Sequence, residues 1–185
     1  MDIYFFGLTA VRIRGKKTAI VLDPFSKEKA GKRFEKTEAD AILLTSKNTS
    51  TTSLDQIENY RVVIDGPGEY EVGGVSINGI SMGNATIYAI KMDGIVLLHL
   101  GKHDKAFSDS QIEKLPAADI VFTPASKEIA DTLAKLEPKI IIPMYEDGAL
   151  ESFLKEIGKD SIKPQSKLTV TREKLPAEME VVVLE

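Results

Sequence analysis

This 185-residue chain contains two histidines, His99 and His103, and no cysteine. Without cysteine the chain forms no disulfide and offers no thiolate as a nucleophile or metal ligand. His99 lies inside an apolar run, residues 95–100, and is expected to be a core histidine bonded to a backbone carbonyl. His103 follows Lys102 in a polar turn, where we expect it to be exposed, with a pH-sensitive or weak ligand role as the alternative.

A second group of candidate residues carries hydroxyl and amide groups. Ser46, Asn48, Ser50 and Thr51 lie together in one polar segment. Their hydroxyls are conceivable nucleophiles with His99 or Lys102 as the base. A segment rich in Ser and Thr is, however, ordinarily a solvated loop. The residue types alone therefore give only a weak indication of nucleophilic catalysis.

The charge and hydropathy of the chain argue against several partner classes. Twenty-four Lys and Arg against 28 Asp and Glu give a net charge of -4, so we expect no broad nucleic-acid-binding face. The lysine-rich residues 27–36 alternate with glutamates, which is typical of a solvated surface. The longest apolar runs fall far short of the roughly 20 residues that a membrane span needs. Asp2 and the lack of a basic start also argue against a secretory signal. We expect a cytoplasmic protein with no membrane partner.

Short runs rich in β-branched residues, separated by Gly and Asp, predict many strands in the first half of the chain. These runs are residues 3–6, 11–14, 18–22, 41–45, 62–64, 69–72, 75–77, 85–92 and 95–100. Gly73-Gly74 and Asp93-Gly94 are suited to two-residue turns with positive φ, so antiparallel hairpins are expected there.

The second half alternates helices with buried strands. Ser53 with Gln56, and Ser108 with Gln111, match the capping-box pattern at a helix start. Residues 129–136 and 150–157 follow helical spacing, and Gly158 is suited to the end of the latter helix. Residues 120–122 and 139–142 are continuous apolar runs typical of strands buried on both faces, and residues 167–171 and 180–184 predict two closing strands. An α/β architecture with two mixed sheets and outer helices in one domain, residues 1–185, is expected.

Five segments, in this order and spacing, resemble the metallo-β-lactamase-fold hydrolases, specifically the short prokaryotic branch related to L-ascorbate-6-phosphate lactonase. They are residues 20–25 (IVLDPF), 39–46 (ADAILLTS), 65–71 (DGPGEYE), 99–101 (HLG) and 138–144 (PKIIIPM). The resemblance covers nearly the whole chain. It implies a four-layer αββα sandwich with a dinuclear metal site at the common edge of the two sheets.

The residues at the positions that bind metal in that family have different chemistry here. The family signature His-x-His-x-Asp-His follows the strand at residues 41–45, and its four ligand positions hold Ser46, Asn48, Ser50 and Thr51. Lys102 stands where the branch has an Asp that bridges both metals, Tyr145 where a His is expected, and Leu8 after Gly7 where the branch has Gly-His. A further His expected near residues 81–84 is missing. Hydroxyls and a neutral amide are weak ligands, and an ammonium repels cations, so we expect no metal and no other cofactor.

Two interpretations of the altered cleft remain open. Lys102 would form an internal ion pair with an acid such as Asp23, which replaces the structural role of the metal. Alternatively, Lys102, Tyr145 and the polar segment would form a pocket for a small anion such as a sugar phosphate. Glu69, in the Gly-Pro-Gly turn segment, and Asp65 could also face this cleft.

Three functional hypotheses follow from the resemblance and these departures. The first is a degenerate, metal-free protein that acts as a binding, scaffolding or regulatory module rather than as an enzyme. The alternative is a hydrolase of phosphodiesters, lactones or thioesters with a relocated or metal-free site. In a third, the chain is a subunit whose surface binds another copy or a protein partner.

Overall fold

The computed structural model describes residues 1–26, 36–46, 52–146, 148–159 and 161–185. In chain order the strands are β1 (Asp2–Gly7), β2 (Ala10–Arg14), β3 (Ala19–Leu22), β4 (Thr37–Glu38), β5 (Ala41–Leu43), β6 (Ile57–Glu58), β7 (Val62–Ile64), β8 (Gly68–Val72), β9 (Val75–Met82), β10 (Ala85–Met92), β11 (Ile95–His99), β12 (Ile120–Pro124), β13 (Ile140–Met144), β14 (Leu168–Thr169) and β15 (Glu180–Val181). The helices are α1 (Asp109–Ile112), α2 (Ala130–Leu136) and α3 (Ala149–Glu156), with 3-10 turns at Lys127–Ile129 and Arg172–Lys174.

These strands form two large mixed sheets and one small one. The first sheet has the order β14-β1-β2-β3-β5-β7, in which β3, β5 and β7 run parallel. The second has the order β15-β13-β12-β11-β10-β9-β8, in which β11, β12, β13 and β15 run parallel. Strands β4 and β6 pair separately. Because loops that leave parallel strands emerge at one edge of a sheet, each large sheet collects several loops at its carboxyl edge.

The main core lies between the two large sheets. Alternate residues of β1, β2 and β3, such as Ile3, Ile13 and Ile20, pack against residues of the second sheet such as Ile90 and Phe122. The period-2 alternation of buried and half-exposed residues along β1 follows directly from the pleat of a strand. The central parallel strands are buried on both faces, as their continuous apolar runs predict.

The helices that the structure describes pack on the outer face of the second sheet. Leu133 of α2 and Phe153 of α3 are buried against Leu98 and Ile141 of that sheet. On the outer face of the first sheet, Val21 and Ile42 are covered instead by Phe25 and Ile57, the latter from the small β4-β6 sheet. The described layers are therefore helices, second sheet, first sheet and a small β layer.

Most of the predicted elements are confirmed. The hairpins form at Gly73-Gly74 and Asp93-Gly94, where all four residues have positive φ. The helix predicted after Ser53 is wrong: Ile57 and Glu58 pair with β4, and only a short turn precedes them. The reason is that tertiary pairing of β6 with β4 overrides the local helix preference of this segment. The closing strands are also shorter than predicted.

No helix among the described residues is both long enough and apolar enough to cross a membrane.

Candidate functional site

The carboxyl edges of the two sheets meet, and their loops surround two adjoining cavities. The smaller, of about 20 Å³, is lined by Leu8, Thr9, Asp23, Pro24, Phe25, Thr45, Ser46, Thr52 and Lys102. The larger, of about 370 Å³, is lined by Leu8, Thr9, Lys102, Asp104, Pro124, Ala125, Ser126, Met144, Tyr145, Glu146 and Ala149. Lys102 lines both cavities, so it stands at the junction between them.

Asp23 follows β3 and is held by Thr45, which follows β5. The Thr45 backbone N–H donates to Asp23 Oδ1 at 2.8 Å, and the Thr45 hydroxyl donates to Oδ2 at 2.6 Å. Asp23 has a φ of 45°, a left-handed conformation that a short hydrogen-bonding side chain can adopt at modest energetic cost. Each Asp23 carboxylate oxygen therefore already accepts a hydrogen bond.

His99 is fully buried at the end of β11, and both of its ring nitrogens are hydrogen-bonded. Nε2 lies 3.0 Å from the Thr9 carbonyl oxygen, and Nδ1 accepts from the Gly101 backbone N–H at 3.2 Å. These partners assign the neutral tautomer with its proton on Nε2. Burial lowers the pKa of His99, with the Asp23 charge and the hydrogen bond to Thr9 partly opposing the shift. The prediction of a core histidine bonded to a carbonyl is confirmed.

Direct hydrogen bonds join the two sheets at this edge. The Thr86 N–H of β10 donates to the Thr45 carbonyl at 2.8 Å. The buried Tyr88 hydroxyl, also from β10, lies 3.1 Å from the carbonyls of Leu44 and Ile64. Burial is the main reason that the pKa of Tyr88 is raised. We name this set of contacts, with Asp23, Thr45, His99 and Gly101, the cross-sheet network. Sequence reasoning missed Tyr88, whose only signal was a tyrosine inside an apolar strand.

Gly101 makes this close approach between the sheets sterically feasible. Its φ is +60°, and a Cβ at this position would lie 2.7 Å from Thr45 Oγ1 and 2.8 Å from Thr45 Cβ. Real Cβ atoms do not approach other atoms so closely, so a side chain at residue 101 would displace Thr45 and disturb its bonds to Asp23.

The described residues do not fit a metal centre of the kind that the resemblance implies. A divalent ion needs about four strong donors, and structural or catalytic sites supply at least three from the protein. Within the described ranges, no group of three or more His, Cys, Asp or Glu could hold a metal ion. At this edge the carboxylate of Asp23 is bonded to Thr45, and His99 has no ring nitrogen left to offer.

The structure brings together only part of the predicted site. Asp23, Ser46 and Lys102 surround the small cavity, and Lys102 and Tyr145 line the large one. Glu69 is exposed on β8 and lines neither cavity. Asn48, Ser50 and Thr51 lie outside the described residues.

The ion-pair interpretation of Lys102 is not supported. The Lys102 side chain is exposed, and among the described residues no salt bridge includes it. Tyr145, at the position of a family histidine, packs its ring against Phe5 at a centroid distance of 5.4 Å and donates to the Leu184 carbonyl at 2.9 Å. Its hydroxyl therefore ties the segment after β13 to residues near β15.

Two further features differ from a simple reading of the sequence. His103 is half-buried rather than exposed, because its ring stacks on Phe107 with centroids 4.1 Å apart. Burial is also the main reason that the pKa of His103 is lowered.

Residues 79–83 (GISMG) have the spacing of a nucleophile elbow, but they lie in the β9–β10 hairpin. An elbow requires a turn from strand to helix, so Ser81 is not such a nucleophile.

Comparisons with known proteins agree with this fold. A family model described as a β-lactamase superfamily domain matches residues 2–145. A Thermococcus onnurineus protein named as a metal-dependent hydrolase is 29% identical, with 78% of this chain and 84% of the relative covered. The crystal structure of a proposed Zn-dependent hydrolase of the metallo-β-lactamase superfamily from Thermotoga maritima has a TM-score of 0.79 at 26% identity, covering 99% of this chain and 97% of the other. Igni18, a metallo hydrolase from Ignicoccus hospitalis, shares the fold alone, with a TM-score of 0.66 and 14% identity over 92% of this chain and 99% of the other.

Proposed function

This chain belongs to the metallo-β-lactamase superfamily, and we propose that it is a member that works without a metal pair, as a binding module for a small polar anion. The observation that supports this proposal is the donor chemistry of the carboxyl edge. Asp23 and His99 are the described carboxylate and imidazole of the cross-sheet network, where both are hydrogen-bonded, and no group of three or more described His, Cys, Asp or Glu could hold a metal ion. That network links the sheets directly, a role that a metal centre would otherwise serve.

The large cavity is where we propose that the ligand binds. Its volume of about 370 Å³ is in the range of small-molecule sites, whereas the small cavity of about 20 Å³ has room for about one water molecule. Lys102 would bind the anionic group of the ligand, because an ammonium donates charge-assisted hydrogen bonds to phosphate or carboxylate. Asp104 and Glu146 also line this cavity and would accept hydrogen bonds from hydroxyl groups. A hydroxylated anion of the sugar phosphate class satisfies both requirements.

A second candidate function is hydrolysis. It is favoured by the Thermococcus relative, which is named as a metal-dependent hydrolase and aligns over most of both chains. In that case this chain would cleave phosphodiesters, lactones or thioesters at a site built from other residues. A hydrolase with a relocated metal site would differ from the binding module in binding a divalent ion tightly, and a metal-free hydrolase would differ from it in turnover.

Metal analysis tests for the metal-dependent form of the hydrolase. We expect protein purified without chelators to contain far less than one equivalent of Zn, Mn or Fe, and calorimetric titration with Zn²⁺ and Mn²⁺ to show no tight site. Asp23→Asn serves as the site variant and Asp131→Asn, at an exposed position of α2, as its control. Near-stoichiometric metal would overturn the proposal in favour of the hydrolase, and its loss in Asp23→Asn but not in Asp131→Asn would place that metal at the carboxyl edge.

Ligand binding tests the positive half of the proposal. Calorimetry with glucose 6-phosphate and ribose 5-phosphate should show saturable binding that weakens about tenfold in Lys102→Gln, consistent with the loss of one charge-assisted contact. Lys105→Gln, three residues along and outside the cavity lining, should bind as the unaltered protein does. Equal affinities for both variants would refute the role of Lys102. Turnover of phosphodiester, lactone or thioester substrates, lost in Lys102→Gln, would refute the binding-module assignment.

A further inference from the structure

A separate cavity of about 360 Å³ lies at the opposite edge of the first sheet, where β3, β5 and β7 begin. It is lined by Arg12, Arg14, Gly15, Lys16, Lys17, Thr18, Ala19, Glu38, Ala39, Asp40, Asn59 and Arg61. No described residue lines both this cavity and either cavity at the carboxyl edge. It therefore lies outside the region to which the resemblance assigns chemistry.

Cations predominate in the lining of this cavity, although the whole chain carries a net charge of -4. Of the described lining residues, five are Lys or Arg and two are acids. Both acids have partners. Glu38 Oε1 accepts a hydrogen bond from the Asn59 amide at 2.7 Å. Asp40 Oδ2 accepts one from the Ala19 N–H at 2.9 Å, and Asp40 Oδ1 lies 3.7 Å from the Arg61 guanidinium. The acids thus neutralise only part of the local positive charge.

The other four cations, Arg12, Arg14, Lys16 and Lys17, form no salt bridge with any described residue. Arg12 donates through Nε to the Glu38 carbonyl at 3.1 Å and lies 5.8 Å from the centroid of the Tyr4 ring. Partial burial, and then repulsion from Arg14, lower the pKa of Arg12. An anion placed between these guanidinium groups would relieve that repulsion.

The turn that carries the two lysines is anchored to the second sheet. The Lys16 N–H donates to Asp93 Oδ2 at 3.0 Å, and the Thr18 hydroxyl donates to the Gly73 carbonyl at 2.8 Å. Gly15 packs so closely that a Cβ there would lie 2.6 Å from Met92 Sδ. Because the backbone of the turn is fixed, its cations lose less conformational entropy when they bind a ligand.

We propose that this cavity binds the di- or triphosphate group of a small molecule. Guanidinium groups pair with phosphate oxygens in a bidentate manner, and several phosphates in series match several cations spread around one cavity. A volume of about 360 Å³ exceeds that of a lone phosphate and lies within the range of small-molecule sites. A nucleic-acid surface would instead need a basic stripe extending beyond one concavity.

Calorimetry with sodium tripolyphosphate at low ionic strength tests this proposal. The unaltered protein should show one saturable site. Affinity should fall at least about tenfold in Arg12→Gln/Arg14→Gln, since each lost charge-assisted contact removes a strong bond. Arg14→Gln/Lys17→Gln replaces only exposed side chains, so it gives the same test if the first variant folds poorly. The matched control is Lys114→Gln/Lys155→Gln, which changes the net charge equally at exposed sites outside the lining.

Three results would overturn the proposal. One is the absence of saturation at millimolar tripolyphosphate. Another is an equal loss of affinity in the control, which would mean that net charge alone attracts the probe. The third is tighter binding of single-stranded RNA than of tripolyphosphate, with the same dependence on Arg14, which would assign the cavity to a nucleic-acid surface. None of these measurements involves Lys102, so they are independent of the function proposed for the carboxyl edge.

Discussion

Replacing Gly101 with alanine tests whether the cross-sheet network stabilises the fold. Two effects add at this position. The first is the left-handed φ of +60°, which costs an L-residue about 1–2 kcal/mol. The second is specific to the site, because the new Cβ would lie 2.7 Å from Thr45 Oγ1 and must move a side chain that is itself only 2% exposed.

The size of the second effect follows from what Thr45 does. Overpacking a tight interior costs about 1–3 kcal/mol. Displacing the Thr45 hydroxyl from its 2.6 Å bond to Asp23 removes a charge-assisted hydrogen bond worth about 1.5–3 kcal/mol. A partial shift of Thr45 reduces the overpacking cost but weakens its hydrogen bond to Asp23, so the two costs do not simply add. We therefore expect a combined loss of about 2–4 kcal/mol beyond the backbone strain.

Gly83→Ala is the matched control. Gly83 has a nearly equal φ of +65°, but a Cβ there would meet no atom of the described residues within 4 Å. Urea unfolding followed by circular dichroism should place the midpoint of Gly101→Ala about 1–2 M below that of Gly83→Ala, for a slope of about 2 kcal/mol/M. In an Asp23→Ala background the extra loss at Gly101 should shrink, because the bond to Asp23 is already gone. Equal midpoints for the two glycine variants would refute the role assigned to this contact.

Two further predictions concern buried polar groups. His99 has a lowered pKa in the folded state, so the native protein binds fewer protons than the unfolded chain, and the free energy of unfolding should fall as the pH drops below about 6.5. Urea midpoints measured between pH 7.5 and 5.5 should depend less on pH in His99→Gln than in the unaltered protein. His103→Gln should reduce this pH dependence by less, because the His103 imidazole is only half-buried. An unchanged pH dependence in His99→Gln would contradict this account. Tyr88→Phe should reduce stability by about 1–3 kcal/mol, because it removes a buried hydroxyl shared by two carbonyls. Tyr60→Phe, at a 40% exposed position, should be nearly neutral in the same urea assay, and equal effects would argue against the bridging role of Tyr88.

Local features of the fold could be predicted from the sequence because their causes are local. Gly73-Gly74 and Asp93-Gly94 supply positive φ between runs that alternate in burial, and both hairpins form. The box at Ser108 and Gln111 also forms, with the Ser108 N–H donating to Gln111 Oε1 at 2.9 Å. The Ser53 motif failed because tertiary pairing of β6 with β4 decided the conformation of that segment.

The candidate site was less predictable because its contacts join residues far apart in the chain. His99 bonds to Thr9, 90 residues away, and Gly101 contacts Thr45, so no spacing rule identifies either pair. The resemblance predicts that Lys102 and Tyr145 lie at one edge of the sheets, and both line the large cavity there. It could not indicate that the Tyr145 hydroxyl bonds to Leu184, or that Glu69 lies on an exposed edge strand away from both cavities.

Strand β14 has a consequence for how the polypeptide acquires its structure. It completes the first sheet by pairing with β1, so Asp2 pairs with Thr169, which lies 167 residues further along the chain. Such distant pairing must offset a large loop-closure entropy, which slows folding. During synthesis on the ribosome, the outer side of β1 stays open until residues 168–169 have emerged, and it is an unprotected strand edge for all of that time.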